Sequence, residues 1–304
     1  MKHYILGTDE AGYGPNLGPL VISCVVWEIE SGSALQSICT TDHLAELERR
    51  LAPITTESPS QLGTNGKLWL IGDSKKLYQS GKLQVLADSV LIALHLTGQR
   101  FTELQSYHRD GHLLSPEQVQ KSLRQLGVSL CHIKSEMISP RDFNHILIRL
   151  GNKSTLLSET TLSLIKNEIQ SLPDEGDVTV LCDKHGGRNH YADLLYQFFP
   201  DTGWIEILTE GTSLSVYRFS FQNRKIEFRF QAKADRHIPA ALASMTAKLL
   251  RELAMLEFNR FWQQHLPDLQ PTAGYPVDAL RFFGQIDEVR QELGISKSDL
   301  WREK

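Results

Sequence analysis

Short apolar runs rich in Val, Ile and aromatic residues alternate along the chain with longer segments in which apolar residues recur at helical spacing. The short runs predict β-strands at residues 4–6, 21–29, 68–71, 101–107, 128–137, 177–182, 204–208, 213–221 and 225–231. The periodic segments predict helices at residues 42–51, 75–96, 115–126, 156–172, 191–199, 238–264, 277–283 and 287–293, and another that opens at Ser139 and Pro140. Two predicted strands follow one another at the start, and later ones alternate with helices. We therefore expect an α/β fold with a central mixed β-sheet flanked by helices.

The first glycine-rich turn, residues 7–20, joins the first two predicted strands and carries two adjacent carboxylates, Asp9 and Glu10. Neighbouring side chains of a strand point to opposite faces, so these two diverge unless the backbone bends. Gly12 and Gly14 permit such a bend and allow a ligand to approach the backbone closely. A solvated acidic turn is the simpler interpretation of the Asp-Glu pair alone, so the case for a functional site depends on the rest of the chain.

Two more carboxylates, Asp183 and Asp235, follow a predicted strand or precede a predicted helix. The ends of neighbouring strands converge at one edge of an open sheet, which is a common place for a site. Four clustered carboxylates repel one another and stay ionised only if cations neutralise them. Oxygen ligands without thiolates favour Mg²⁺ or Mn²⁺. Two such ions can clamp the attacking and leaving oxygens of a phosphoryl displacement.

Composition narrows the classes of partner and compartment. The 304 residues are 41% hydrophobic, enough for one large domain or two modest ones. A formal charge of −4 gives no bulk attraction for nucleic acid, so such a partner needs a local basic surface. The four cysteines form no CxxC pair, and no apolar run reaches membrane-spanning length. We expect a cytoplasmic monomer that does not bind membranes.

The turn resembles the signature of type 2 ribonucleases H (ribonuclease HII and its relatives), and further blocks are similar to that family in the same order. They are residues 71–77 (IGDSKKL), 138–144 (ISPRDFN), 180–183 (VLCD), 233–235 (KAD), 243–248 with Arg251, and 274–275 (GY). The order of the blocks carries more weight than any single block. The resemblance implies one ribonuclease H-like domain over residues 1–304. Insertions are expected near 31–66, 97–130 and 203–231, and a helical part from about 237.

The resemblance also implies an activity: two-metal-ion cleavage of RNA in RNA–DNA hybrids, or of ribonucleotides embedded in duplex DNA, leaving a 3′-hydroxyl and a 5′-phosphate. Asp9 would bridge two Mg²⁺ or Mn²⁺ ions, Glu10 and Asp183 would complete the coordination, and Asp235 would also lie nearest the attacking water. Substrate contacts are implied for Gly12, Tyr13, Gly14, Ser74, Lys75, Lys233, Ser244, Lys248 and Tyr275.

The chain departs from the family pattern in its substrate-reading segments. Tyr13 stands where the family has Arg, Pro276 and Val277 follow Tyr275 where Gly-Thr is expected, and Lys184 follows Asp183 in place of the common Gly. These departures affect the prediction of cleavage at single ribonucleotides, whereas the prediction of nuclease chemistry rests on the four carboxylates. Two alternatives stay open: a nuclease of the same fold that cuts structured DNA, and a non-catalytic nucleic-acid-binding relative.

Several candidate residues also have ordinary structural interpretations. Asp73 or Ser74 can cap a helix, which is compatible with a phosphate contact from Lys75. Ser244, Lys248 and Arg251 share one helix face, which can be a solvated stripe. A transition-metal site at Cys182, His185 and His190 is a weak hypothesis, because there is one cysteine and no typical spacing. Trp204, Phe261 and Trp262 are predicted to lie in the core.

Overall fold

The computed structural model describes residues 2–30, 42–99 and 115–303. Its strands are β1 Lys2–Ala11, β2 Leu20–Glu30, β3 Thr55–Thr56, β4 Trp69–Leu70, β5 Val128–Ile138, β6 Asp177–Asp183, β7 Glu206–Glu210, β8 Leu214–Phe221 and β9 Arg224–Gln231. Its helices are α1 His43–Leu51, α2 Ser74–Leu96, α3 Pro116–Gln125, α4 Pro140–Leu150, α5 Lys153–Ser171, α6 Ala192–Phe198, α7 Ile238–His265, α8 Pro276–Glu292 and α9 Lys297–Leu300. The strand predicted at 101–107 and part of the segment 31–66 lie outside the described residues.

A seven-stranded mixed sheet in the order β5-β2-β1-β6-β9-β8-β7 forms the centre of the described chain. Strand β1 is antiparallel to β2 and parallel to β6, which is itself parallel to β9. Helices cover both faces, because hydrophobic side chains alternate along the strands and bury two separate clusters. The predicted α/β class, with a central mixed sheet flanked by helices, is confirmed.

One cluster packs α1, α2, α3 and α7 against the sheet, and the other packs α4, α5 and α6 against the opposite face. A third, smaller cluster joins the end of α7 to α8 through Trp262 and Phe282. Strands β7, β8 and β9, from the segment predicted as an insertion at 203–231, belong to the central sheet. Both turn residues between β8 and β9, Gln222 and Asn223, have positive φ, as the predicted hairpin requires.

The strand predicted at 68–71 is present as β4, which pairs with β3 outside the central sheet, and the buried Trp69 indole donates to the carbonyl of Ser89 at 3.1 Å. One local prediction is wrong. The two helices expected at 277–283 and 287–293 are one helix, α8, since packing of Phe282 and Ile286 outweighs the low helical propensity of Gly284.

Two of the three aromatic residues predicted to lie in the core are exposed. Trp204 is 82% exposed and Phe261 is 40% exposed, whereas Trp262 is fully buried. The reason is positional: Trp204 precedes an edge strand of the sheet, and Phe261 lies on the outer side of α7. None of the described helices is both long and apolar enough to cross a membrane.

Candidate active site

The four predicted carboxylates lie at one edge of the sheet, where three parallel strands end side by side. Thr8 of β1 pairs with Cys182 of β6, so Asp9 and Asp183 follow at the same level. Asp183 in turn pairs with Gln231 at the end of β9, and the chain then enters the 3₁₀ turn Ala234–Arg236 that contains Asp235. Parallel register therefore brings together residues that are more than two hundred positions apart in sequence.

Helix α7 packs directly against β1 and orients Asp9. A Cβ atom on Gly7 would lie 2.2 Å from the carbonyl carbon of Pro239, so only glycine allows the helix to approach this closely. This approach places the buried hydroxyl of Ser244 where it donates to the Asp9 carboxylate. The buried Ser74 hydroxyl lies 3.0 Å from that of Ser244 and extends the chain of hydrogen bonds into α2.

Asp183 is held by backbone N–H groups from two segments. The N–H of Ala234 donates to its Oδ1 at 3.4 Å, and the N–H groups of Lys184 and Lys233 also bond to the carboxylate. Lys233 adopts φ 60 and ψ 46, a left-handed conformation that is uncommon for a lysine. This strained turn brings the Asp235 segment back over the end of β6, and such strain is typical of functional sites.

The electrostatic coupling of these groups indicates excess negative charge. Burial and the charge of Glu10 raise the pKa of Asp9 well above its usual value. Burial, followed by the charge of Asp183, raises the pKa of Glu10 to about 7, and Asp235 adds to the effect. Burial also raises the pKa of Asp183. The exposed Lys75 is the cation that opposes this trend at Glu10, and it does so only in part.

The donor chemistry fits a divalent cation, but the side chains do not yet converge. Across residues 2–30, 42–99 and 115–303, no three His, Cys, Asp or Glu side chains are arranged to hold a metal ion. Asp9 and Glu10 are consecutive residues of β1, and neighbouring side chains of a strand point to opposite faces. Carboxylate oxygens are the ligands that Mg²⁺ and Mn²⁺ prefer, and a bound cation would neutralise the negative charge that raises the pKa of these groups. Mg²⁺ or Mn²⁺ at this site stays a prediction.

The glycine-rich loop that follows Glu10 lies beside the carboxylates. Gly12 has φ +91, and a Cβ atom there would lie 2.6 Å from the carbonyl oxygen of Pro19, so this position requires glycine. The Tyr13 ring packs under the Lys153 ammonium, whose Nζ lies 4.8 Å from the ring centroid. Burial and the charge of Glu10 raise the pKa of Tyr13, which places this side chain in the electrostatic environment of the site.

Tyr275 is held against this loop, although it is distant in sequence. Gly274 has φ +83, and its carbonyl accepts the N–H groups of Asn16 at 2.8 Å and Leu17 at 3.2 Å. The Tyr275 ring lies beside Gly14, where a Cβ atom would be 3.9 Å from the ring. More than half of Tyr275 is exposed, at 55%. The structure thus brings together Gly12, Tyr13, Gly14 and Tyr275, as the sequence predicts.

The other predicted substrate-binding residues fall into two groups. Lys75 and Lys233 are exposed at the site, where their ammonium groups are available to a phosphate. Lys248 instead pairs with Glu252 at 2.6 Å and lies over the Tyr78 ring. Ser74 and Ser244 are buried behind Asp9, so their hydroxyl groups support that carboxylate and do not face a substrate.

Sequence reasoning missed two buried arginines beneath the glycine-rich loop. Arg302 donates from Nη2 to the carbonyl of Gly12 at 2.5 Å and also to that of Pro15. Arg251 was predicted only as part of a basic stripe, but it is buried and donates to the carbonyl of Ala273 at 2.9 Å. No sequence signal marks Arg302, because its acceptors are backbone carbonyls. The weak transition-metal hypothesis also gains no support, since buried His185 bonds to Ser158.

Comparison with known proteins gives structural likeness at low identity. No protein-family model matches the chain, and no curated protein is significantly similar to it. Among solved structures, it is similar to the ribonuclease H2 of Pyrococcus horikoshii OT3, with 15% identity and a TM-score of 0.48 over 99% of this chain and 92% of that one. It is also similar to the RNase HII of an Archaeoglobus fulgidus PCNA:RNase HII complex, with 14% identity and a TM-score of 0.43 over 99% and 94%.

A third similar structure is Bst-RNase HIII in complex with Mn²⁺, with 13% identity and a TM-score of 0.44 over 99% of this chain and 66% of that one. All three are ribonucleases H of the kind that the sequence blocks resemble.

Proposed function

We propose that this protein is a metal-dependent endoribonuclease that cleaves RNA in RNA–DNA hybrids or ribonucleotides embedded in duplex DNA. The observation that carries the proposal is the position of Asp9, Glu10, Asp183 and Asp235 at one sheet edge, near enough for their charges to raise one another's pKa, beside a glycine-rich loop and an exposed tyrosine. Asp9 and Glu10 are adjacent in β1, Asp183 ends β6, and Asp235 lies in the 3₁₀ turn after β9. The order of the sequence blocks supports the same reaction class.

The four carboxylates would hold two Mg²⁺ or Mn²⁺ ions. When bound, these ions would polarise the attacking water and the leaving 3′-oxygen. Other residues of the chain would orient the carboxylates and attract the substrate. Ser244 orients Asp9 through its hydroxyl hydrogen bond, and the backbone N–H groups around Asp183 fix that carboxylate. Lys75 and Lys233 attract the phosphate backbone electrostatically.

The glycine-rich loop and Tyr275 would contact the sugars of the substrate and distinguish ribose from deoxyribose. Gly12 and Gly14 leave room for close approach of a ribose, whose 2′-hydroxyl distinguishes RNA from DNA. Tyr275 presents an exposed ring next to Gly14 on which a neighbouring sugar can pack. Hydrolysis on the 5′ side of the ribonucleotide would leave a 3′-hydroxyl and a 5′-phosphate.

A nuclease of the same fold with a structured DNA substrate is the second candidate, and the packing of Tyr13 favours it. The Tyr13 ring occupies the position of an expected arginine and is engaged with Lys153, so it does not supply a free cation to the loop. The cation beside the loop is Lys153 and not residue 13, so the loop differs in side-chain chemistry from the ribose-binding segment that the resemblance implies.

The deciding experiment compares three labelled duplexes: one with a single ribonucleotide in DNA, a continuous RNA–DNA hybrid, and all-DNA. Each is incubated with Mg²⁺, Mn²⁺ or EDTA. Asp9→Asn tests the site, and Asp287→Asn, the same change at a carboxylate of α8 that pairs with Arg290, is the control. We expect metal-dependent cleavage of the two ribonucleotide-containing duplexes, abolished by Asp9→Asn alone. Cleavage of all-DNA would favour the second candidate, and tight binding without any cleavage would favour a non-catalytic relative.

A further inference from the structure

Two buried guanidinium groups lie beneath the two segments that face the proposed substrate. Arg251 lies directly under Gly12, where a Cβ atom would be 2.5 Å from its Nε, and it bonds to the carbonyl that precedes Gly274. Arg302 bonds to the carbonyls of Gly12 and Pro15. The two arginines together hold the glycine-rich loop and the Tyr275 turn from below.

Both the side chain and the backbone of Arg302 are held by contacts with neighbouring residues. Its guanidinium lies 4.9 Å from the centroid of the Phe143 ring. Its backbone N–H donates to the carbonyl of Asn16 at 2.8 Å, and the Asn16 side chain donates to its carbonyl at 3.0 Å. Only 1% of Arg302 is exposed. The side chain therefore has one conformation available, and the loop carbonyls have to match it.

This arrangement is electrostatically unfavourable in itself. Burial and the charge of Arg251 lower the pKa of Arg302 to about 9, so this guanidinium remains charged at neutral pH, and burial also lowers the pKa of Arg251. Arg302 Nε and Nη1 and Arg251 Nε are buried and have no hydrogen-bond partner among the described residues. Unpaired buried donors and adjacent buried like charges are both destabilising, so these two arginines lower stability where they hold the loop.

The role follows from the geometry of the peptide bond. In a planar trans peptide the C=O and N–H groups point in opposite directions. The carbonyl of Gly12 accepts from Arg302, so the N–H of Tyr13 points away from that guanidinium. The guanidinium thus selects the loop orientation that offers a backbone donor to a ligand.

We propose that Arg302, with Arg251 beside it, is a positioning residue that fixes the backbone orientation of the glycine-rich loop and thereby sets its selectivity for a ribose over a deoxyribose. The selectivity part rests on the proposed ribonuclease function. The positioning part does not, since it concerns the free protein.

The test uses Arg302→Met, which keeps the volume and removes the donors, and Arg302→Gln, whose amide is too short to reach both carbonyls. Arg224→Met is the matched control. Arg224 is 3% exposed, bonds to the carbonyl of Pro173, and has two unpartnered N–H groups of its own, but it lies at the β8–β9 hairpin. Loss of either buried arginine lowers overall stability, so a stability measurement alone does not distinguish the Arg302 variants from Arg224→Met.

The first readout is hydrogen–deuterium exchange of residues 12–17 without nucleic acid. We expect exchange about 10-fold faster in both Arg302 variants and unchanged in Arg224→Met, because only the former lose bonds to the loop. Normal exchange in an Arg302 variant that folds would overturn the proposal. So would failure of both Arg302 variants to fold while Arg224→Met folds, because Arg302 would then be a residue needed for general stability.

The second readout is the ratio of affinities for a duplex with one ribonucleotide and its all-DNA counterpart, measured in the Asp9→Asn background so that nothing is cut. We expect this ratio to fall about 10-fold in the Arg302 variants, as loss of one oriented hydrogen bond predicts. A loosened loop with an unchanged ratio would overturn the selectivity part. An Arg302-intact protein with no preference at all would count against the proposed function, and the exchange result would still decide the positioning role.

Discussion

Replacing Glu10 with glutamine should make the metal-free protein more stable, although it removes a carboxylate proposed to be essential. Burial and the charge of Asp183 raise the pKa of Glu10 from 4.5 to about 7. Between these pH values the folded state retains a proton that the unfolded state has released, so stability falls as pH rises. Above pH 7 both states are ionised, and the full penalty is present.

The difference between 4.5 and about 7 corresponds to about 3 kcal/mol at pH 8 and to less than about 1 kcal/mol at pH 5. Glutamine keeps the shape of the side chain and has no charge, so Glu10→Gln should recover most of this free energy at pH 8. For a chain of 304 residues that is a rise in Tm of about 5 °C. The gain should be small at pH 5.

The assay is thermal unfolding in EDTA at pH 5 and pH 8, compared between wild type and variant. Glu46→Gln is the matched control with the opposite sign, because hydrogen bonds from Arg49 lower the pKa of Glu46 to about 2 and its ionised form is stabilising. That variant should lose stability at pH 8. An equal gain from Glu10→Gln at both pH values, or no gain, would refute the electrostatic reasoning.

Three further predictions use the same site. Mg²⁺ or Mn²⁺ at one hundred times its Kd should raise the free energy of unfolding of the wild type at pH 8 by about 2.7 kcal/mol and so raise its Tm, and it should leave the Tm of Asp9→Asn unchanged in a thermal shift assay. Gly12→Ala should lower the free energy of unfolding in urea by about 2 kcal/mol or more, since its φ is +91 and its Cβ would meet Pro19. Gly14→Ala, whose Cβ would make only an ordinary contact with the Tyr275 ring at 3.9 Å, should lower the free energy of unfolding by less than about 1 kcal/mol. Tyr275→Ala should weaken duplex binding about 10-fold with little change in Tm, whereas the more exposed Val277→Ala should change neither.

The sequence placed the candidate carboxylates where local patterns change, and their role as a catalytic site stays a prediction. Asp9 and Asp183 each follow an apolar run, and parallel pairing of their strands brings them to one level. Glu10 is the next residue of the same strand as Asp9, and neighbouring side chains of a strand point to opposite faces. The single-domain organisation over 1–304 and the three insertions stay predictions.

Sequence patterns failed where tertiary packing decides. Gly284 looks like a helix break, but Phe282 and Ile286 bury their side chains in the same cluster and hold α8 continuous through it. Trp204 has the composition of a core residue and is exposed, since it precedes an edge strand rather than occupying a central one. Apolar residue types give an average tendency for burial, and the position of the strand in the sheet determines the outcome.

The support of the loop was the part least accessible from sequence, and the reason is general. Arg302 is 290 positions from Gly12, and its partners are main-chain carbonyls, which every residue has. A site that needs a carboxylate must have Asp or Glu at that position, and this requirement is visible in the sequence. A main-chain carbonyl can come from any residue, so the sequence of the loop does not show that an arginine binds it. A lone arginine near Trp301 therefore looks like an ordinary surface cation until the fold buries it beneath the loop that it orients.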